Sequence, residues 1–145
     1  MNFLSSLSGF QLLPRSIPWA RIFLLWLITV FLLSSISSPP GPDIPSPIPL
    51  DKIVHFLEYG VGAFLLLQAL EQFPQWKARP LRTAALAIGV ISAIGALDEA
   101  YQTLTPGRYG LDPFDWLADF SGAFCVALAW ALRLKLRSTP KNDAD

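Results

Sequence analysis

Asp51, Lys52, His55 and Glu58 crowd the start of one apolar stretch, and the run LDEAYQTLTPGRYGLDPFDWLAD, residues 97–119, sets further charges beside two others. Carboxylates, one imidazole, one amide and one guanidinium are the groups that move protons, hold cations and clamp anions. His55 suits a general base or metal ligand and Glu99 a proton donor or metal ligand, while Asp115 can hold a cation or orient His55. These three are the expected catalytic residues. Lys52, Gln102 and Arg108 are the expected substrate-binding residues, with Arg108 as a clamp for phosphate or carboxylate. Asp51, Glu58, Asp98 and Asp119 are further candidate metal ligands.

The signs are unbalanced. Asp51, Glu58, Asp98, Glu99, Asp112, Asp115 and Asp119 confront only Lys52 and Arg108, so full ionisation in a low dielectric would produce strong repulsion. Either some carboxyls stay protonated or a cation occupies the site. A hard divalent ion such as Mg²⁺, bound by two or three carboxylates and water, is one solution. One histidine cannot make a His-rich zinc site, although His55 with acidic ligands is open to zinc.

These charges sit in a chain built for lipid. Of its 145 residues 52% are hydrophobic and 15% charged, with mean hydropathy +0.43, which places it among membrane proteins. The expected fold is all-α: a polytopic bundle of four transmembrane helices with spans at about 19–36, 53–70, 83–101 and 116–134. Residues 1–18 are expected to form an interfacial segment, 19–134 the membrane domain and 135–145 a disordered cytoplasmic tail. The first span resembles the apolar part of a cleaved signal peptide as well, but the long leader with Phe3, Leu4, Leu7, Phe10, Leu12 and Leu13 at near-helical spacing favours retention. Cys125 falls inside the fourth span, where a small core residue is expected.

Lys and Arg are retained on the cytoplasmic side. Arg15 and Arg21 precede the first span, Lys77, Arg79 and Arg82 separate the second from the third, and Arg133, Lys135, Arg137 and Lys141 follow the fourth. Both termini are therefore expected in the cytoplasm. The proline-rich run SSPPGPDIPSPIPL becomes an outer loop, and EQFPQWKARPLR a short inner linker. With that topology the start of the second span, the end of the third and the start of the fourth meet in one leaflet. At 100° per residue Asp51, His55, Glu58 and Gly62 fall within roughly a 60° arc. Gly95, Glu99 and Gln102 share a face with Asp98 at its edge, and Asp115, Asp119, Gly122 and Val126 align likewise. Glycines in those stripes allow close approach around a polar cavity, and charges in the membrane face protein or water rather than lipid. A purely structural role stays open for each: Lys52 and Arg108 pairing with acids to tie helix ends, and Asp112 or Asp115 capping the helix at Pro113.

DKIVHFLEYG followed by DEAYQTLTPGRYGLDPFDWLADFSGA resembles the VanZ-like family of small bacterial membrane proteins. Asp51, Lys52, His55 and Phe56 carry the first block of the likeness; Glu99, Gln102, Pro106, Gly107, Arg108, Asp115, Asp119 and Gly122 carry the second. Asp119 stands where many relatives have Asn, and the first loop is unusually rich in proline. The resemblance implies a multi-pass protein of the bacterial cytoplasmic membrane, in a family linked to teicoplanin-type glycopeptide susceptibility.

Two functions follow as expectations. The first is an enzyme, a metal-assisted hydrolase or transferase, acting at the outer leaflet on a lipid or lipid-linked envelope precursor. The second is a non-catalytic binding or scaffold protein that sequesters a lipid, drug or partner. Ion passage is weaker, because no buried ionisable residue is expected to continue the path through the cytoplasmic halves of the spans. The sequence carries no nucleic-acid-binding pattern, nucleotide loop or haem motif, and it specifies no protein partner.

Overall fold

The computed structural model describes residues 18–37 and 49–138, with side chains as far as Lys135. Helices α1 (Trp19–Ser34), α2 (Leu50–Glu71), α3 (Pro74–Lys77), α4 (Pro80–Gln102) and α5 (Pro113–Ser138) follow in order, and the described residues contain no strand. The expected leader helix and most of the proline-rich loop lie outside the described residues, as does the tail beyond Ser138.

Proline sets most of the starts. Its ring fixes φ near the helical value, and its missing N–H costs nothing in a first turn. Accordingly Pro74, Pro80 and Pro113 open α3, α4 and α5, and Pro49 immediately precedes α2. The helices therefore begin about three residues before the apolar spans expected from hydropathy, which brings Asp51, Lys52 and Asp115 into helical turns. Helix α5 also runs past the expected limit at residue 134, to Ser138. The linker between α2 and α4 is not plain loop: it contains the single turn α3, and Thr83 Oγ1 donates to the Trp76 and Arg79 carbonyls at 2.7 and 3.1 Å to fix it.

Helices α2, α4 and α5 are long and apolar enough to cross a membrane. Their segments of 22 and 23 residues give about 33–35 Å at 1.5 Å per residue, against a hydrocarbon core of about 30 Å. Helix α1, with 16 residues, reaches only about 24 Å. Leu24, Leu25, Ile28 and Leu32 on α1, Val54, Leu57 and Val61 on α2, and Leu117, Phe124 and Leu128 on α5 all point outward. So continuous an apolar exterior is the surface of a protein solvated by lipid.

Inside, the packing depends on small residues. Helix α2 lies at the centre and packs most extensively on α5, then on α1 and α4, while α4 and α5 also pack together. One core cluster joins Leu67, Ala84, Ala87, Ala127, Trp130 and Ala131, and another joins Val30, Tyr59, Ala63, Ile91 and Ala123. Gly122 lies against the Phe56 carbonyl and the backbone of Gly60, so α2 and α5 touch backbone to backbone. Gly62 accepts the Trp26 ring of α1, and Gly95 of α4 faces the Asp119 carboxylate. Such close approach supplies the dispersion contacts that hold helices together where lipid offers no hydrophobic drive. Cys125 departs from expectation: it is exposed on the outside of α5. In lipid an outward small apolar residue carries no penalty, so periodicity alone did not separate it from the core face.

Each end of the bundle has its own ties. At one, Ser35 Oγ and the Tyr101 hydroxyl share a hydrogen bond of 2.9 Å, and Thr105 Oγ1 donates to the Ser34 carbonyl. At the other, Glu71 accepts from Trp130 Nε1 at 3.0 Å and Arg133 at 3.1 Å, with Lys77 at 3.7 Å.

Candidate functional site

The first three turns of α2, the last two of α4 and the first two of α5 converge at the end that carries the Ser35–Tyr101 tie. Lys52 is held by three acids at once: its Nζ lies 2.6 Å from Asp112 Oδ2, 2.6 Å from Asp115 Oδ1 and 3.2 Å from Asp51 Oδ2. One turn deeper, His55 Nδ1 is 2.9 Å from Asp119 Oδ1, and its Nε2 is 3.9 Å from Asp115 Oδ1. In the neutral imidazole with Asp119 ionised, Nδ1 carries the ring proton and donates it, which leaves the lone pair on Nε2. His55, Glu99 and Asp115 each present a ligand atom, all within 4.8 Å of one another.

The Pro106–Asp112 turn positions Glu99. Gly107 has φ +79° and Leu111 φ +61°, left-handed conformations that glycine adopts freely and leucine at a cost. The turn folds back so that Leu111 N–H donates to the Glu99 carbonyl at 3.2 Å and Asp112 N–H to Glu99 Oε2 at 2.8 Å. Gly110 fits against the Glu99 carbonyl and Thr103, where a Cβ would collide with backbone. Gln102 completes the α4 group by donating to Asp98 Oδ2 at 3.0 Å, with Glu99 Oε1 at 3.4 Å. Asp112 itself caps α5, its Oδ1 accepting from Phe114 N–H at 2.8 Å. The Lys52 ammonium, aided by that N–H, holds the Asp112 carboxyl below its ordinary acid range.

The residues expected from the sequence are thus brought together unequally. His55, Glu99 and Asp115 converge, as their expected shared role requires. Of the four further candidate ligands, Asp119 orients His55, Asp98 binds Gln102, and Asp51 pairs with Lys52 at the rim. Glu58 is half-buried, and among the described residues no hydrogen bond or ion pair engages its carboxylate. Lys52 sits inside an ionic cage rather than free for a substrate. Arg108 has no hydrogen-bond or ion-pair partner for its guanidinium among the described residues, and it lies within electrostatic reach of Glu58.

Tyr59 had not been singled out. Its ring stacks parallel to His55, with centroids 6.1 Å apart, the residue is fully buried, and its hydroxyl lies within reach of the Asp98 carboxyl. The available signal was its i+4 spacing from His55, which puts both on one helix face. Glu71 with Trp130 and Arg133 was also missed, since residues so distant in sequence carry no shared motif.

Chemically, a carboxylate-anchored imidazole with a free Nε2, facing two more carboxylates, can accept a proton or hold a cation, and Asp119 fixes the ring for either task. No family model, curated protein or solved structure matches the chain.

Proposed function

We propose that the chain is a VanZ-like multi-pass protein of the bacterial cytoplasmic membrane, crossing it four times with both termini in the cytoplasm. Its polar end faces outward and acts on a lipid or lipid-linked precursor of the cell envelope, with a bearing on teicoplanin-type glycopeptide susceptibility. The observation that carries this reading is the Asp119-oriented His55, whose free nitrogen faces Glu99 and Asp115 at the edge of an apolar belt. A site at that level meets the headgroup of a lipid whose tail stays in the membrane. His55 Nε2 serves as general base or metal ligand, Glu99 as proton donor or metal ligand, and the Arg108 guanidinium receives the phosphate or carboxylate of the substrate.

The test uses purified protein in liposomes containing polyprenyl phosphate and diphosphate lipids, with products followed by mass spectrometry. Turnover by the wild type, lost in Glu99→Gln while lipid binding persists, supports the enzyme. Binding without turnover in the wild type favours a sequestering protein. Orientation is read in cells on a Cys125→Ser background: a cysteine at Tyr109 reacts with an impermeant thiol reagent from outside and one at Ala78 does not. The opposite pattern overturns the topology.

A further inference from the structure

Among the described residues, three carboxylates at the outward-facing end meet no lysine or arginine, and His55 alone pairs with one of them, Asp119. Asp98, Glu99 and Asp119 are 2%, 2% and 0% exposed, and among the described residues no lysine or arginine bonds to any of them. Lys52 is already held by Asp51, Asp112 and Asp115. His55 is the single base that meets this group, and it touches only Asp119 at hydrogen-bond distance. Among the described residues Asp119 Oδ2 is buried without a hydrogen-bond partner, although buried carboxylates normally find either a donor or a positive charge. The ligand atoms of His55, Glu99 and Asp115 meanwhile lie within 4.8 Å of one another. An ion bonded at about 2.0–2.2 Å to each needs donors about 3–4 Å apart, a spacing that small side-chain rotations reach.

We propose that His55 Nε2, Glu99 and Asp115 hold one divalent transition-metal ion, with Asp119 as the positioning residue that fixes the imidazole through Nδ1. This deepens the reading of the outward end as the functional site and rests on it. The ligand set of one imidazole nitrogen and two carboxylate oxygens suits Zn²⁺ or Mn²⁺ better than Mg²⁺ or Ca²⁺, which prefer oxygen alone. The carboxylate–histidine–metal chain is the arrangement in which an outer carboxylate sets the tautomer and raises ligand basicity. The ion adds positive charge to a group of carboxylates that, among the described residues, only His55 otherwise meets. Lys52 then competes with it for Asp115.

The experiment is a Co²⁺ titration of the full chain in detergent, followed by visible absorption, with helical circular dichroism and gel-filtration profile checked for every variant. One Co²⁺ per chain is expected, displaced by Zn²⁺ and resistant to a hundredfold excess of Mg²⁺. His55→Gln, Glu99→Gln and Asp115→Asn each weaken binding at least tenfold, and Asp119→Asn weakens it about 10–100-fold with the stoichiometry kept. Glu71→Gln, at the opposite end, binds as the wild type does. Lys52→Gln binds Co²⁺ more tightly, an increase that a misfolded variant would not show. Substoichiometric Co²⁺ in the folded wild type overturns the proposal, as does binding unaffected in both Glu99→Gln and Asp115→Asn. Because the titration needs no substrate, absent metal with intact lipid turnover rejects the ion alone, and bound metal without turnover rejects only the enzymatic reading.

Discussion

Replacing Gly122 by alanine tests whether the site is built by backbone contact between α2 and α5. A Cβ at residue 122 would overlap the Phe56 carbonyl oxygen and come within 3.0 Å of the Phe56 carbonyl carbon and 3.1 Å of Gly60 N. All three are helix backbone and cannot rotate aside, so the helices must separate. Overpacking of this kind costs about 1–3 kcal/mol. His55 immediately precedes Phe56, and Asp119 lies one turn before Gly122, so the separation falls on the 2.9 Å contact between His55 Nδ1 and Asp119 Oδ1. Gly60→Ala is the matched comparison, since its Cβ would find Val126 Cγ2 at 3.5 Å and Gly122 O at 3.6 Å, ordinary contacts, and Gly89→Ala would meet nothing within 4 Å. Both should be neutral, or more stable by up to about 1 kcal/mol from helix propensity. Unfolding in mixed micelles titrated with dodecyl sulfate measures the stability. The site is read by nitrogen NMR of the imidazole, an unambiguous signal because the chain has one histidine. Gly122→Ala should lower the unfolding midpoint and shift the imidazole signal. A variant as stable as Gly60→Ala, with its imidazole signal unmoved, would refute the argument from close approach.

Two further perturbations separate the ends of the bundle. Glu71→Ala strands Trp130 Nε1 and Arg133, which it binds at 3.0 and 3.1 Å, and should cost about 1–3 kcal/mol in the same unfolding assay with the His55 signal unchanged. The Asp112 carboxyl, held low by Lys52, should stabilise the fold above the ordinary aspartate value near 3.8 and lose that contribution as pH falls through its lower folded value. The wild type should therefore lose more stability than Asp112→Asn between about pH 5 and pH 2. The difference is modest because the carboxyl is partly solvated, and equal losses in the two proteins would show that the pair contributes nothing.

What the sequence made legible was relative position along each helix. The 100° periodicity placed His55 with Asp51 and Glu58, Glu99 with Gln102, and Asp115 with Asp119, because those relations depend on one chain segment only. Helix starts were less legible: hydropathy reports where lipid contact begins, whereas Pro80 and Pro113 start helices at their own positions, ahead of the apolar residues. Which face of α5 meets protein was ambiguous around Cys125, since interior and lipid-facing surfaces of a membrane helix are equally apolar. That Lys52 could pair with acids was legible, but that Asp112 and Asp115 hold it together was not. Partners more than fifty positions apart in sequence are set by tertiary packing, and no local pattern encodes them.

The choice of aspartate at the depth of the site follows from the same glycines. An aspartate carboxyl hangs on one methylene and reaches a neighbouring helix only where the backbones are unusually close. Asp119 touches His55 because Gly122 lets α5 press on the Phe56 carbonyl of α2, and it finds room because Gly95 leaves its place on α4 open. A glutamate at 119 would have to coil back on itself, and an alanine at 95 would meet Asp119 Oδ2 at 2.6 Å. Glu99, one methylene longer, is correspondingly restrained from outside by the Asp112 N–H at 2.8 Å. The close packing that stabilises helices in lipid and the short reach that fixes an imidazole are therefore one design: loosening the first withdraws Asp119 from His55 before it unfolds the bundle.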